Sequence, residues 1–209
     1  TPHRQGDPMV LADQVADLDA VRRRLNCEQV DVIGHSWGGY LGMAYAAQHG
    51  PRVRRLVLVG SAAPRIQETL TLFREFYPQE AERRSRLRDA VKAGDVSALH
   101  AAEKIYFSML CHAPEARTRY AELADPGVLA LDVAFSLSAD LQNRDLTSAL
   151  AGFTQPTLVL TGRFDVNVAP SVAYKIHQSI PGSRFLEKGQ VSALLKDDEA
   201  RARDRMKHD

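Results

Sequence analysis

"VDVIGHSWGG", residues 30–39, is the stretch whose reading decides the fold. An apolar, β-branched run stops at Ile33. Glycines at 34, 38 and 39 then surround Ser36, and a pattern rich in alanine and glycine runs to His49 before Gly50-Pro51 breaks it. The first part reads as a strand over Val30–Gly34 and the last as a helix over Gly38–His49. Between them, Gly34-His35-Ser36-Trp37-Gly38 fits G-x-S-x-G, the strand-to-helix elbow that holds out a nucleophilic serine. Such a turn is tight. Side chains two residues to either side of the serine would collide with it, so Gly34 and Gly38 are expected to be required, and Gly39 to let the helix approach the sheet. The helix start offers free N–H groups and the positive end of its dipole, with the Trp37 N–H as one oxyanion donor. The Trp37 side chain reads either as a pocket wall or as a core aromatic. His35 neighbours the serine on a turn that points it elsewhere, so it is not the expected general base. The competing reading is a glycine-rich turn with an incidental serine. The strand ends at the first glycine and the helix begins after the last, which favours the elbow.

Working outward, apolar spacings of three and four from Val10 to Leu25 predict a helix. Arg54–Gly60 predicts a second buried strand followed by a loop, Ser61–Pro64. Pro156–Gly162 predicts a third, Ala169–Ile180 a helix, and Ser183–Leu186 a fourth strand. Buried strands alternating with helices indicate an α/β fold with a parallel sheet covered on both faces. Residues 66–149 differ: charged helical patterns at about 66–77, 79–93, 95–111, 115–124 and 128–141, punctuated by Pro78, Gly94, Pro114 and Pro126-Gly127. The charged tail after Glu187 reads as helical from about Ala193. The organisation expected is a core of residues 1–64 and 150–209 carrying an inserted helical cap or lid, 65–149.

The 209 residues are 44% hydrophobic and 25% charged, with a formal net charge of +1. That is a globular composition with no strong field toward nucleic acid or membrane. Arginines cluster at 22–24, 83–88 and 201–205 within helical patterns with acids nearby, and are expected to be solvated helix faces rather than a polyanion site. Cys27 and Cys111 are too few for a disulfide framework and fit a reducing, cytoplasmic compartment; Cys27 is expected to be buried or half-buried. No apolar run approaches the ~18 residues of a membrane span. No metal-type spacing occurs, and no cofactor is expected. The chain starts at Thr1 rather than Met.

"LVLTGRFDVNVAP", residues 158–170, supplies a second chemical group. Asp165 follows the third strand, on the rim where Ser36 lies, and comes after the serine in chain order. It reads as the acid of a Ser…Asp…His triad, or as an ordinary loop carboxylate capping the next helix. Asp132 and Asp140, in the helical insert, are poorer candidates.

Together, "VDVIGHSWGG", "RVRRLVLVGSAAP", "PTLVLTGRFDVNVAP" and "IHQSIPGSRF" resemble the α/β-hydrolase superfamily, within it the proline iminopeptidase-like and esterase-like group. The resemblance covers Leu11–Pro64 and Phe153–Phe185, while the insert matches the family's helical cap only in place and character. It implies Ser36 as nucleophile and Asp165 as the acid that orients a histidine. The family keeps that histidine in a Gly-His step after the last strand. Here the step reads Gly189-Gln190, and no histidine occurs between His177, inside a predicted helix, and His208, in the polar tail. The resemblance also implies further N-terminal strands and a second oxyanion loop ahead of Leu11, absent from this chain. The strand at Val30 would then be an open edge, to be covered by a homo-oligomer contact, a second chain or the rest of a longer protein.

The expectation that follows is a serine hydrolase cleaving a small ester, amide or short-peptide bond through an acyl-enzyme on Ser36. The alternative is a catalytically impaired hydrolase-like binding protein or a fragment, because of Gln190. An aspartate-nucleophile dehalogenase or epoxide hydrolase is disfavoured by the serine at the elbow. Glu68, Glu75 and Glu103 in the cap read as amine-binding groups or, more simply, as a solvated face.

Overall fold

A computed structural model describes residues 9–95, 97–110 and 131–187 of the chain, apart from the side chains of residues 131, 132, 134 and 135. In chain order the elements are α1 (Leu11–Arg24), β1 (Val30–His35), α2 (Trp37–His49), β2 (Val53–Val59), α3 (Phe73–Phe76), α4 (Pro78–Lys92), α5 (Ala98–Leu110), α6 (Leu131–Leu141), α7 (Thr147–Leu150), β3 (Thr157–Thr161), α8 (Pro170–Ser179) and β4 (Arg184–Glu187). The strands form one sheet in the order β1-β2-β3-β4, every pair parallel. Their C-terminal ends therefore share one rim, where open α/β sheets bind ligands.

Register decides which side chains meet. Gly34 lies opposite Leu58, Leu58 opposite Val159, and Val159 opposite Phe185. Leu56, Leu58 and Val159 join Tyr40, Met43 and Tyr45 of α2 and Val172 and Ile176 of α8 in one apolar cluster. Helix α2 lies close to the strands because Gly42 allows it: a Cβ there would stand 3.3 Å from both Leu56 Cδ1 and Val32 Cγ1. Helix α1 packs on α2, and its start is satisfied by acids. Asp13 Oδ2 accepts the Val10 N–H (3.1 Å), and Asp140 Oδ2 of α6 accepts the Leu11 N–H (2.9 Å).

Three expectations need correction. The strands were expected to be buried on both faces, but among the described residues only the α2/α8 side is covered. On the other side Ile33 is 74% exposed, and Val57 and Leu158, its register partners, are only half-buried. The helix expected over 66–77 is instead a 3-10 turn (Ile66–Glu68), an extended stretch and the one-turn α3. Tertiary bonds explain this: the Leu72 N–H donates to Val166 O (2.8 Å) and the Ala169 N–H to Leu70 O (2.9 Å), so residues 70–72 run along the loop after β3 rather than coiling on themselves. The arginine cluster 83–88 is not a uniformly solvated face, because the Arg84 side chain is only 18% exposed. Cys27 is half-buried, as expected. The helices expected at 115–124 and beyond Ala193 lie outside the described residues, as do Cys111, Gln190 and His208.

The stems of the long insert meet. The Leu146 N–H donates to Pro64 O (3.1 Å), and Arg65 pairs with Asp145 at 2.7 Å. Among the described residues no helix is long and apolar enough to cross a membrane.

Candidate active site

Ser36 stands between β1 and α2 with φ 53° and ψ −117°. A serine at positive φ is strained, and such strain persists only where the surroundings over-determine it. The backbone is held from both directions. The Ser36 N–H donates to Val59 O (3.1 Å), and its carbonyl accepts from Gly39 (3.0 Å), Tyr40 (3.4 Å) and Ala62 (3.2 Å). The side chain does not cap α2. Ahead of Gly39 and Tyr40, the amides of Trp37 and Gly38 have no carbonyl within reach in the helix. A serine hydroxyl and the first N–H groups of a helix, which no helical carbonyl takes, are thus gathered at one turn, which is chemically suited to an acyl group and its oxyanion.

The glycines divide differently from the expectation. At Gly34 an added Cβ would lie 2.6 Å from Gly38 C and 2.7 Å from Gly39 Cα, so no side chain fits. At Gly39 it would lie 2.6 Å from Ser61 Cβ, which allows β2's exit loop to press against α2. Around Gly38 nothing lies within 4 Å of such a Cβ. The expected collision at Gly38 is therefore absent.

Asp165 comes from the loop after β3. Its Oδ1 accepts the N–H groups of Asn167 and Val168, both at 2.9 Å, so one oxygen shapes its own loop. Its Oδ2 faces Gly60, where a Cβ would stand 3.1 Å away. The Gly60–Ala62 step links the two candidates: Gly60 abuts Asp165, and Ala62 donates to Ser36 O. His35 borders the same glycine, with its Cδ2 4.0 Å from that Cβ position. His177 is committed elsewhere: its Nδ1 is 2.8 Å from Ser183 Oγ and its ring stacks on Phe185.

The Trp37 side chain belongs to the core side. Its Nε1 donates to Gln14 Oε1 of α1 (3.2 Å) and its ring stacks on Tyr40, centroids 5.3 Å apart. Asp140 is structural: the Arg144 guanidinium grips both oxygens at 2.7 and 2.9 Å and, with the Leu11 N–H, holds its carboxyl below the ordinary carboxylate range. Of the acidic residues in the insert, Glu68 lies 3.7 Å from Arg65, and Glu103, 16% exposed, lies 3.6 Å from Arg84. The sequence pattern did not reveal that Tyr106 of α5 donates to Asn167 Oδ1 (3.0 Å), fastening the insert to the Asp165 loop. Among the described residues no three His, Cys, Asp or Glu side chains are grouped as a metal would need.

A family model described as the alpha/beta hydrolase fold matches residues 1–199. A probable proline iminopeptidase of Leptolyngbya boryana is 26% identical over 93% of this chain and 72% of its own length. A cis-3-alkyl-4-alkyloxetan-2-one decarboxylase of Shewanella oneidensis is 35% identical, over 34% of this chain and 23% of that protein. Among solved structures, a hydrolase from Pseudomonas aeruginosa PA01 superposes with a TM-score of 0.62 at 25% identity, covering 87% of this chain and 64% of the other. The chain thus spans between about a quarter and three quarters of the lengths of these relatives.

Proposed function

The chain belongs to the α/β-hydrolase fold family, and from that premise we propose that it is a serine hydrolase acting on a small ester, amide or short peptide through Ser36. The observation that carries this reading is the Ser36 backbone itself: φ 53° at the end of β1, with the hydroxyl left out of helix capping. A strained turn whose serine hydroxyl is not spent on capping the helix is one suited to chemistry. In the proposed reaction Ser36 Oγ attacks the carbonyl carbon, and the Trp37 N–H stabilises the oxyanion. The C–O or C–N bond then breaks, the serine proton goes to the leaving group, and water cleaves the acyl-enzyme. Asp165 Oδ2 is the oxygen available to orient a base, because Oδ1 is already engaged by Asn167 and Val168.

The proteins named proline iminopeptidase among the relatives support a peptide or amide substrate with a free amine, and the solved hydrolase supports acyl chemistry in general. We assign the helices of residues 65–149 the role of a lid that selects substrate. The bonds from Leu72, Leu70 and Tyr106 to the Asp165 loop support that role. Two cysteines in no pairing pattern support a reducing, cytoplasmic setting.

Gln190 favours a second reading, a binding protein that keeps the pocket but turns over slowly. Glutamine can hydrogen-bond the serine but cannot take its proton at neutral pH, and loss of a triad base removes most of the rate. A fluorophosphonate probe separates the two. Labelling at Ser36 that Ser36→Ala abolishes, together with turnover of p-nitrophenyl butyrate or proline p-nitroanilide, supports the hydrolase. Absence of both labelling and turnover sinks it, and faster labelling in Gln190→His identifies the missing base.

A further inference from the structure

Away from Ser36, helices α3, α4 and α5 line a half-open cavity of about 210 Å³ whose charged lining is Arg74, Arg84, Arg88, Asp89 and Lys92, with Ser85 between them. Four cations thus face one carboxylate, and that carboxylate is 3.4 Å from Lys92 Nζ. Phe73 and Met109 form the apolar part of the wall.

Arg84 is the group that this arrangement leaves unresolved. Its Cζ sits 4.4 Å over the Tyr106 ring, and Glu103 approaches its Nη2 only to 3.6 Å. Its Nε is buried and has no hydrogen-bond partner among the described residues. Burial, and then the neighbouring Arg88, push its guanidinium below the ordinary arginine range, while Glu103 opposes them. A buried donor without an acceptor beside a second like charge is costly in a folded protein. One anion in the cavity would screen Arg84 from Arg88, and a small turn of the Arg84 side chain would bring the buried Nε onto it as a donor. Arginine favours carboxylate and phosphate, whose oxygens match its forked donors.

We propose that this cavity is a binding site for a small anion, a carboxylate or phosphate group on a short stem, held by Arg84 and Arg88 with its stem against Phe73 and Met109. The proposal does not depend on the hydrolase reading of Ser36. The two places are nevertheless joined: Tyr106, under the Arg84 guanidinium, donates to Asn167 Oδ1, and the Asn167 N–H donates to Asp165 Oδ1.

Calorimetric titration of the full chain at low salt with inorganic phosphate, and separately with butyrate, tests this. Saturable binding of either probe, weakened about tenfold or more by Arg84→Met and severalfold by Arg88→Ala, supports the site; which probe binds identifies the phosphate or the carboxylate class. Arg88 is exposed, so if Arg84→Met fails to fold, Arg88→Ala decides. No saturable binding of either probe at millimolar concentrations, or binding unchanged in the variants, overturns the proposal.

Discussion

Gly60 ends β2 against the carboxylate of Asp165: a Cβ built on the glycine would stand 3.1 Å from Oδ2, and the glycine's φ is +47°. Its N–H is also fixed, to Leu160 O at 2.9 Å. Gly60→Ala is expected to lose about 1–2 kcal/mol from the left-handed backbone alone, and to push the carboxylate off its present position. Urea unfolding measures the first effect and labelling of Ser36 the second. A wild-type unfolding midpoint in this variant would contradict the strained turn described here.

The three elbow glycines should separate on substitution. Gly34→Ala places a methyl 2.6 Å from Gly38 C, and Gly39→Ala places one 2.6 Å from Ser61 Cβ. Overpacking of this kind costs about 1–3 kcal/mol, more where backbone must move. Gly38→Ala meets nothing within 4 Å and lies in the first turn of α2, where alanine gains up to about 1 kcal/mol over glycine. The unfolding free energies should therefore rank Gly38→Ala at or above wild type and the other two well below it. Equal losses at all three positions would restore the simpler collision rule.

Ser36 carries strain that its hydroxyl does not relieve. Ser36→Gly should stabilise the chain relative to Ser36→Ala, because glycine accepts φ 53° while alanine inherits the same strain. The expected difference is about 1 kcal/mol: strain relief of roughly 1–3 kcal/mol less the greater backbone entropy that glycine loses on folding. Both variants lack the nucleophile. Thermal unfolding of the pair decides the matter, and a less stable glycine variant would show that Ser36 is not strained.

Asp140 gives the fold a defined response to acid. Its carboxyl is held below the ordinary range by Arg144 first, with the Leu11 N–H adding to the effect. A depressed pKa contributes stability above the unfolded value of about 3.9, and that contribution disappears as pH falls through the folded value. The stability gap between wild type and Asp140→Asn should be widest near neutral pH, shrink below about pH 4 and close in stronger acid. Urea midpoints across that range test it. A gap that does not change with pH would assign the loss to packing rather than to charge.

The strand, elbow and helix of residues 30–49 were legible because each depends on residues close in sequence: β-branched residues before the turn, small ones within and after it. The position of Asp165 in the loop after β3 was legible from the strand pattern. What escaped depended on contacts distant in sequence. Residues 69–72 carry helix-compatible chemistry, yet Val166 and Ala169 supply backbone partners that keep them out of a helix. Helix α4 shows charge on every face, so nothing in its pattern singles out Arg84 as the arginine that turns inward. Ile33 sits in an apolar run that implies burial on both sides, but cover on its side is a tertiary matter that no local pattern carries. Gly38 satisfied the motif, while the crowding belongs to Gly34 and Gly39.

The meeting of Pro64 with Leu146 also bears on the order of assembly. Strands β1 and β2 are joined by α2 and a short 3-10 turn (Gly50–Arg52), so their pairing is local and closes early. Strand β3 must find β2 across residues 60–156, and the entropy of closing a loop grows with its length. Once the Leu146 N–H reaches Pro64 O and Arg65 meets Asp145, that span is spliced out, and β3 is tethered to β2 by residues 60–64 on one side and 146–156 on the other. The clasp at the foot of the helices thus shortens the search by which the second half of the sheet joins the first.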